Sequence, residues 1–210
     1  MERYAKGELE LWDLPDTYEW EFDTAVTEKF PKILKINMRD NYYKQGLDFL
    51  KNFTGYEKCK ILEVEKQFAV NFDDWVFNGI IDLVFEDENG RLIIRDYKSK
   101  ASFTSKREKF EYTRQLYLYS LYIKEAYGKW PDELQFLMFR KQNLEIIPFD
   151  ESNCMEAVGW AQTIVDEIRE AFDYPPACNL EKKSNDTFYA DNLCNHREYC
   201  EFREKWRDTK

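Results

Sequence analysis

Apolar residues recur along this chain at two different spacings, and the change between them divides it. Towards the N-terminus, Leu34, Ile36, Met38, Tyr42, Tyr43, Leu47, Phe49 and Leu50 return at helical intervals. Residues 1–54 therefore read as mainly helical, with Asp16 and Asp23 as candidate cap positions and Gly55 as the stop. Strand signals take over at Ile61–Val70, Trp75–Glu86 and Arg91–Ser99, and Asp87-Glu88-Asn89-Gly90 between the last two is a hairpin signal. A helix is predicted over about 106–127, closed by Gly128 and Pro131. Glu133–Arg140 and Leu144–Phe149 read as two more strands. Asp150 can cap a last helix through Phe172, which Tyr174-Pro175-Pro176 breaks. The order α-βββ-α-β-β-α predicts an α/β (α+β) fold, a mixed central sheet flanked by helices.

Composition narrows the class. A chain of 210 residues suits one domain. It divides into a helical N-terminal segment (residues 1–54), a core (55–150), a helix (151–173) and a cysteine-bearing tail (174–210). At 43% hydrophobic and 17% aromatic, it can fill a core. No apolar run approaches the length of a membrane span, and Met1-Glu2-Arg3-Tyr4-Ala5-Lys6 lacks the apolar centre of a signal peptide, so a soluble, cytoplasmic protein without membrane contact is expected. Five cysteines, an odd number in such a chain, argue against a disulfide framework. The net charge of −10 argues against a protein that coats nucleic acid with its whole surface. A local basic stripe, Lys98 to Arg107, remains the best candidate for phosphate contact.

Chemistry concentrates between Gly79 and Tyr119. Asp96 and Lys98 lie two apart on a strand and share a face. Two aspartates and a lysine on neighbouring strands suit a divalent cation, with the lysine orienting water and steadying charge at phosphorus. Asp82 must reach the face of Asp96 for this to work, and the hairpin decides whether it does. A two-residue turn at Asn89-Gly90 pairs 88 with 91 and puts Asp82 opposite Tyr97. A three-residue loop, Glu88-Asn89-Gly90 with Gly90 left-handed, pairs 87 with 91 and puts Asp82 opposite Asp96. The metal hypothesis therefore predicts the longer loop or a bulge of equal parity. Asp-x-Lys alone is a common surface pair, but Val84, Phe85, Leu92, Ile93 and Ile94 make both strands look central. Gln115 and Tyr119, four apart on the following helix, project side by side.

In this order, Gly79-x-x-Asp82, Asp96-x-Lys98 and Gln115-x-x-x-Tyr119 resemble the RecB-type branch of the PD-(D/E)XK nuclease superfamily, a branch that includes many phage exonucleases. The resemblance covers about 61–149. It implies a restriction-endonuclease-like fold and an Mg²⁺- or Mn²⁺-dependent deoxyribonuclease. Asp82, Asp96 and the Tyr97 backbone carbonyl would be metal ligands. Lys98 would position and activate the attacking water, and Gln115 and Tyr119 would support the lysine or the DNA backbone. Glu65 resembles a glutamate that often precedes this core, and Glu63 is the alternative. The implied role is an exonuclease of phage or mobile-element recombination and repair, with DNA ends as substrate and a recombinase or helicase as partner.

Two departures modify that expectation. Family members usually carry a histidine on an earlier helix, whereas the one histidine here is His196, so a truncated N-terminus is expected. Some RecB-type nucleases close their fold with an iron–sulfur cluster. Cys194 and Cys200 keep the last spacing of that motif, Asp191 stands where another cysteine belongs, and Cys178 is a substitute. A remnant is expected rather than an intact cluster. Zinc at Cys178, Cys194, His196 and Cys200 is chemically feasible but fits no strong template. Cys59 and Cys154 read as small core residues. The alternatives to an exonuclease are a degenerate nuclease fold that binds DNA ends or protein, and a structure-specific endonuclease.

Overall fold

A computed structural model describes residues 1–27, 30, 37–170 and 194. Three helices come first, α1 (Glu2–Ala5), α2 (Asp13–Ala25) and α3 (Met38–Asn52). Five strands follow, β1 (Lys60–Asn71), β2 (Val76–Glu86), β3 (Leu92–Lys98), β4 (Glu133–Met138) and β5 (Asn143–Pro148). Helix α4 (Lys106–Tyr127) connects β3 to β4, and α5 (Glu151–Glu170) follows β5. The strands lie in chain order in one sheet, antiparallel except for the β3–β4 pair. That single parallel step requires a crossover, which α4 supplies. The fold is the mixed sheet with flanking helices that the apolar rhythm predicts.

The sheet is buried unequally on its two sides. One side carries the larger core, where Ile81, Val84, Leu92, Ile94, Leu134 and Phe136 meet Leu116, Tyr119 and Ile123 of α4 and Cys154, Ala157 and Ala161 of α5. On the other, Leu83, Phe85 and Ile93 pack with Tyr56, Tyr4 and Phe53. Strand β3 contributes to both, with Leu92, Ile93 and Ile94 at most 2% exposed. It is therefore central, and full burial of each such side chain stabilises the fold by roughly 1.5–3 kcal/mol.

Several local expectations need correction. Asp16 and Asp23 lie inside α2, whose cap position is Trp12, while Asn37 caps α3 by accepting the Asp40 N–H. The strand predicted through Arg140 stops at Met138, because Phe139–Lys141 forms a short 3₁₀ turn that ends at Gln142 with φ of 54°. Helix α4 runs over the residues expected, from a Ser105 cap to a left-handed Gly128. Among the described residues no helix is long and apolar enough to cross a membrane.

Candidate functional site

The β2–β3 hairpin takes the longer of the two loops. Glu86 pairs with Leu92 and Leu83 with Arg95, the Asp87 N–H donates to the Arg91 carbonyl, and Gly90 has φ of 75°. Continued by one residue, this register sets Asp82 opposite Asp96. There the ladder gives way to a side chain, for Asp82 Oδ2 accepts the Tyr97 backbone N–H at 2.8 Å.

Strands β1 and β2 both change face at this level. Glu63 and Val84 are paired, with Val84 in the α4-side core and Glu63 bonded to Tyr122 and Tyr127 of α4. Val64 and Leu83 are paired on the opposite side. Lys66 and Ile81 are paired on the α4 side again. Two consecutive changes of side leave Glu65 and Asp82 at the switch, and Glu65 adopts φ of 48°. A non-glycine residue in that region costs about 1 kcal/mol or more and persists only where its surroundings enforce it.

The side chains then converge. Lys98 Nζ donates to Asp96 Oδ1 at 3.0 Å and to Gln115 Oε1 at 3.4 Å, and Gln115 Nε2 donates to the Tyr119 hydroxyl at 2.7 Å. The ammonium also stands 4.9 Å from the centre of the Tyr112 ring. Tyr112, Gln115 and Tyr119 share one stripe of α4. Gly79 explains why Tyr119 can reach the sheet. A Cβ there would lie 2.5 Å from Phe68 and 2.9 Å from the Tyr119 ring.

Asp96 is 5% exposed, and its Oδ2 accepts no hydrogen bond. Lys98 Nζ lies 2.9 Å from that oxygen, so the two meet as charges without hydrogen-bond geometry. Burial pushes the Asp96 carboxyl up to about 6, with the Asp82 charge adding to it against the pull of Lys98. Burial likewise raises Asp82, and it raises Glu65 together with the nearby charge of Asp82. Lys98 meets this oxygen as a charge, but two acids beside one ammonium leave negative charge that a cation would offset. Two carboxylates with open positions suit Mg²⁺, which is commonly held by one or two carboxylates and keeps several waters. The residues present fit such an ion. Among the described residues no three acidic, cysteine or histidine side chains converge on a metal position, so Glu65 does not complete a three-carboxylate set. Glu63 is engaged by Lys66 and the two tyrosines.

The basic stripe differs from expectation. Lys100 pairs with Glu108 and Arg107 with Glu111, and just beyond the stripe Lys109 pairs with Glu145. With 41 acidic against 31 basic residues, the chain has acids to spare for such pairing. Beside Lys98, Glu108, Glu111, Tyr112 and Gln115 line an open cavity of about 350 Å³. Glu108 was legible as part of a Ser105-x-x-Glu108 capping pattern, with the Ser105 hydroxyl accepting the Glu108 N–H and the Glu108 carboxylate accepting from Thr104.

Of the cysteines, Cys154 is the buried core residue expected, and Cys59, partly buried, packs against the smaller core and lines a cavity. Cys194 is half-buried. Cys178, His196 and Cys200 lie outside the described residues, as does any cluster they form.

A family model of the PD-(D/E)XK nuclease superfamily matches residues 25–204. No curated protein matches the chain.

Proposed function

The chain belongs to the PD-(D/E)XK nuclease superfamily, and on that premise we propose that it is a single-domain, metal-dependent DNA exonuclease of the RecB type, acting in phage or mobile-element recombination and repair. Asp82, Asp96 and the Tyr97 carbonyl are the proposed metal ligands, with Glu65 at their edge. The observation that carries this reading is the buried Asp96 Oδ2, which accepts no hydrogen bond beside a lysine and a second acid. A divalent cation bound there supplies Lewis acidity at the phosphoryl oxygens and lowers the pKa of water.

The remaining work falls to the chain's own groups. Lys98 is held at Nζ by Asp96 and Gln115, so its ammonium can orient a water and neutralise charge developing on phosphorus-bound oxygens. Gln115 fixes the lysine through Oε1 and is itself fixed by Tyr119. The rings of Tyr112 and Phe136, centred 4.9 and 5.7 Å from Nζ, help hold the ammonium in place. DNA ends are the proposed substrate, and a recombinase or helicase the proposed partner.

End-labelled linear DNA tests this with Mg²⁺ or Mn²⁺. Asp96→Ala and Lys98→Ala are expected to reduce cleavage on the order of 10²–10⁴-fold while circular dichroism stays native. Parental activity in either variant would sink the assignment. Free-ended against end-blocked substrates separate the exonuclease from a structure-specific endonuclease.

A second reading, a non-catalytic module that binds DNA ends or protein, is favoured by the lack of a third converging acid among the described residues and by the ion-paired stripe. Calorimetric titration with Mn²⁺ separates the two. A competent site gives saturable heat that Asp82→Asn removes, whereas a degenerate site gives none.

A further inference from the structure

The side of the sheet away from α4 carries a charge that the nuclease chemistry does not use. Arg95 is half-buried there, between Asp96 and Ile94 in sequence but facing Tyr56 and Phe85, whose ring centres lie 5.4 and 4.8 Å from its guanidinium carbon. It donates from Nε and Nη2 to Gln135 Oε1, at 3.0 and 2.6 Å, and from Nη1 to the Tyr56 hydroxyl at 3.3 Å. All these partners are neutral. Arg3, Arg39, Arg91, Arg107, Arg114 and Arg169 each pair with a carboxylate. Arg95 pairs with none among the described residues, and neither does Arg140, which bonds Gln45 and the Tyr42 hydroxyl.

A guanidinium cannot discharge itself by losing a proton, so Arg95 keeps its full charge, and three bonds leave two of its five N–H donors open. It lines a cavity of about 280 Å³ together with Asn52, Thr54, Tyr56, Cys59 and Gln142. That is just below the range that larger ligands occupy, and it suits a small anion. Asp48, beside the cavity, is engaged by the Asn52 and Gln142 amides, at 3.3 and 2.8 Å, and the charges of Asp87 and Glu88 reach the lining Cys59. The Gln142 amide keeps a second N–H and Thr54 adds a hydroxyl, whereas the Asn52 amide also donates to the Asp48 carbonyl at 2.8 Å.

We propose that this cavity binds a phosphate monoester, anchored by Arg95, at a site separate from the acids. The planar fork of arginine matches phosphate oxygens in pairs, and the lining supplies neutral donors around it. Phosphodiester hydrolysis generates phosphate monoesters, so a supply of ligand rests on the nuclease reading, but the cavity's chemistry does not.

Isothermal titration calorimetry of the full chain tests this without added metal, at constant ionic strength, with inorganic phosphate and separately with dAMP, against a chloride control. Saturable binding is expected, weakened at least tenfold in Arg95→Gln and retained in Asp96→Asn. Tighter binding of dAMP than of phosphate assigns a nucleotide, and equal binding assigns the phosphate group alone. Absence of saturable binding to the parent overturns the proposal, as does binding kept in Arg95→Gln. Should Arg95→Gln fail to fold, the Arg95 Nε–Hε resonance of the parent, assigned by its loss in Arg95→Lys, is followed by NMR. A saturable shift with phosphate supports the site, and an unmoved resonance overturns it. Because Asp96→Asn removes a proposed metal ligand and leaves Arg95 in place, failure here and failure of the nuclease assignment are distinguishable.

Discussion

Arg95 and Asp96 are adjacent in β3, face opposite sides of the sheet, and hold their charges under different physical rules. Asp96 sits beneath α4 with one oxygen lacking a hydrogen bond, and burial lifts its carboxyl to about 6. It can therefore take up a proton or a cation. Arg95 sits among Tyr56, Phe85 and Gln135 and has no such freedom. Its stabilisation comes from ring faces and neutral acceptors, which disperse a charge without cancelling it. The alternation of a strand thus separates an acidic front from a cationic back by one sheet thickness. The front is stiffened by α4 and the back by the segment around Tyr56.

The largest effect on stability is expected at the front, where packing is tightest. Gly79→Ala introduces a methyl 2.5–2.6 Å from Phe68 and 2.9 Å from Tyr119. Both rings belong to the buried core, so the strain should cost about 1–3 kcal/mol in urea unfolding. The displaced Tyr119 should also loosen Gln115 and lower cleavage further than stability alone explains. Unchanged stability would mean that the front is softer than its contacts imply.

A smaller effect is expected at the back. Tyr56→Phe deletes the hydroxyl that accepts from Arg95 and shares a hydrogen bond with the Tyr97 hydroxyl. The loss should be about 1 kcal/mol, with Mn²⁺ binding at the front little changed. A large drop in Mn²⁺ affinity would show instead that the two faces are coupled through Tyr97, whose backbone N–H holds Asp82.

Much of the front was legible in the sequence because its geometry depends on parity and spacing. Asn89-Gly90 narrows the hairpin to two registers, and the need to bring two acids together selects the one observed. Gln115 and Tyr119 follow from helical spacing. The double change of face at Glu65 and Asp82 was not legible, since a left-handed glutamate breaks the alternation that strand reading assumes. Nor was the back. Alternation says that Arg95 points away from Asp96, but not that a loop from far upstream brings Tyr56 to meet it. Of the ion pairs in and beside the basic stripe, only some were hidden. Arg107–Glu111 has the spacing of one helical turn, whereas Lys109–Glu145 depends on the folded sheet.

The smallest effect concerns the rim between the acids and solvent. Glu108 closes the loop before α4 through Lys100 and Thr104, and the hydrogen bond from Lys100 leads in drawing its carboxyl from 4.5 down to about 2. A depressed folded value means that the ionised form is favoured by folding, so this contribution is complete above 4.5 and disappears as pH falls toward 2. Glu108→Gln removes the charge at every pH. The melting temperature of the parent should therefore exceed that of Glu108→Gln at pH 7, and the gap should close between pH 4.5 and 2. Raised salt should narrow the gap at pH 7, because the pair is partly exposed. A gap independent of both pH and salt would assign Glu108 a purely steric part in capping α4, and leave the loop beside Lys98 without an electrostatic latch.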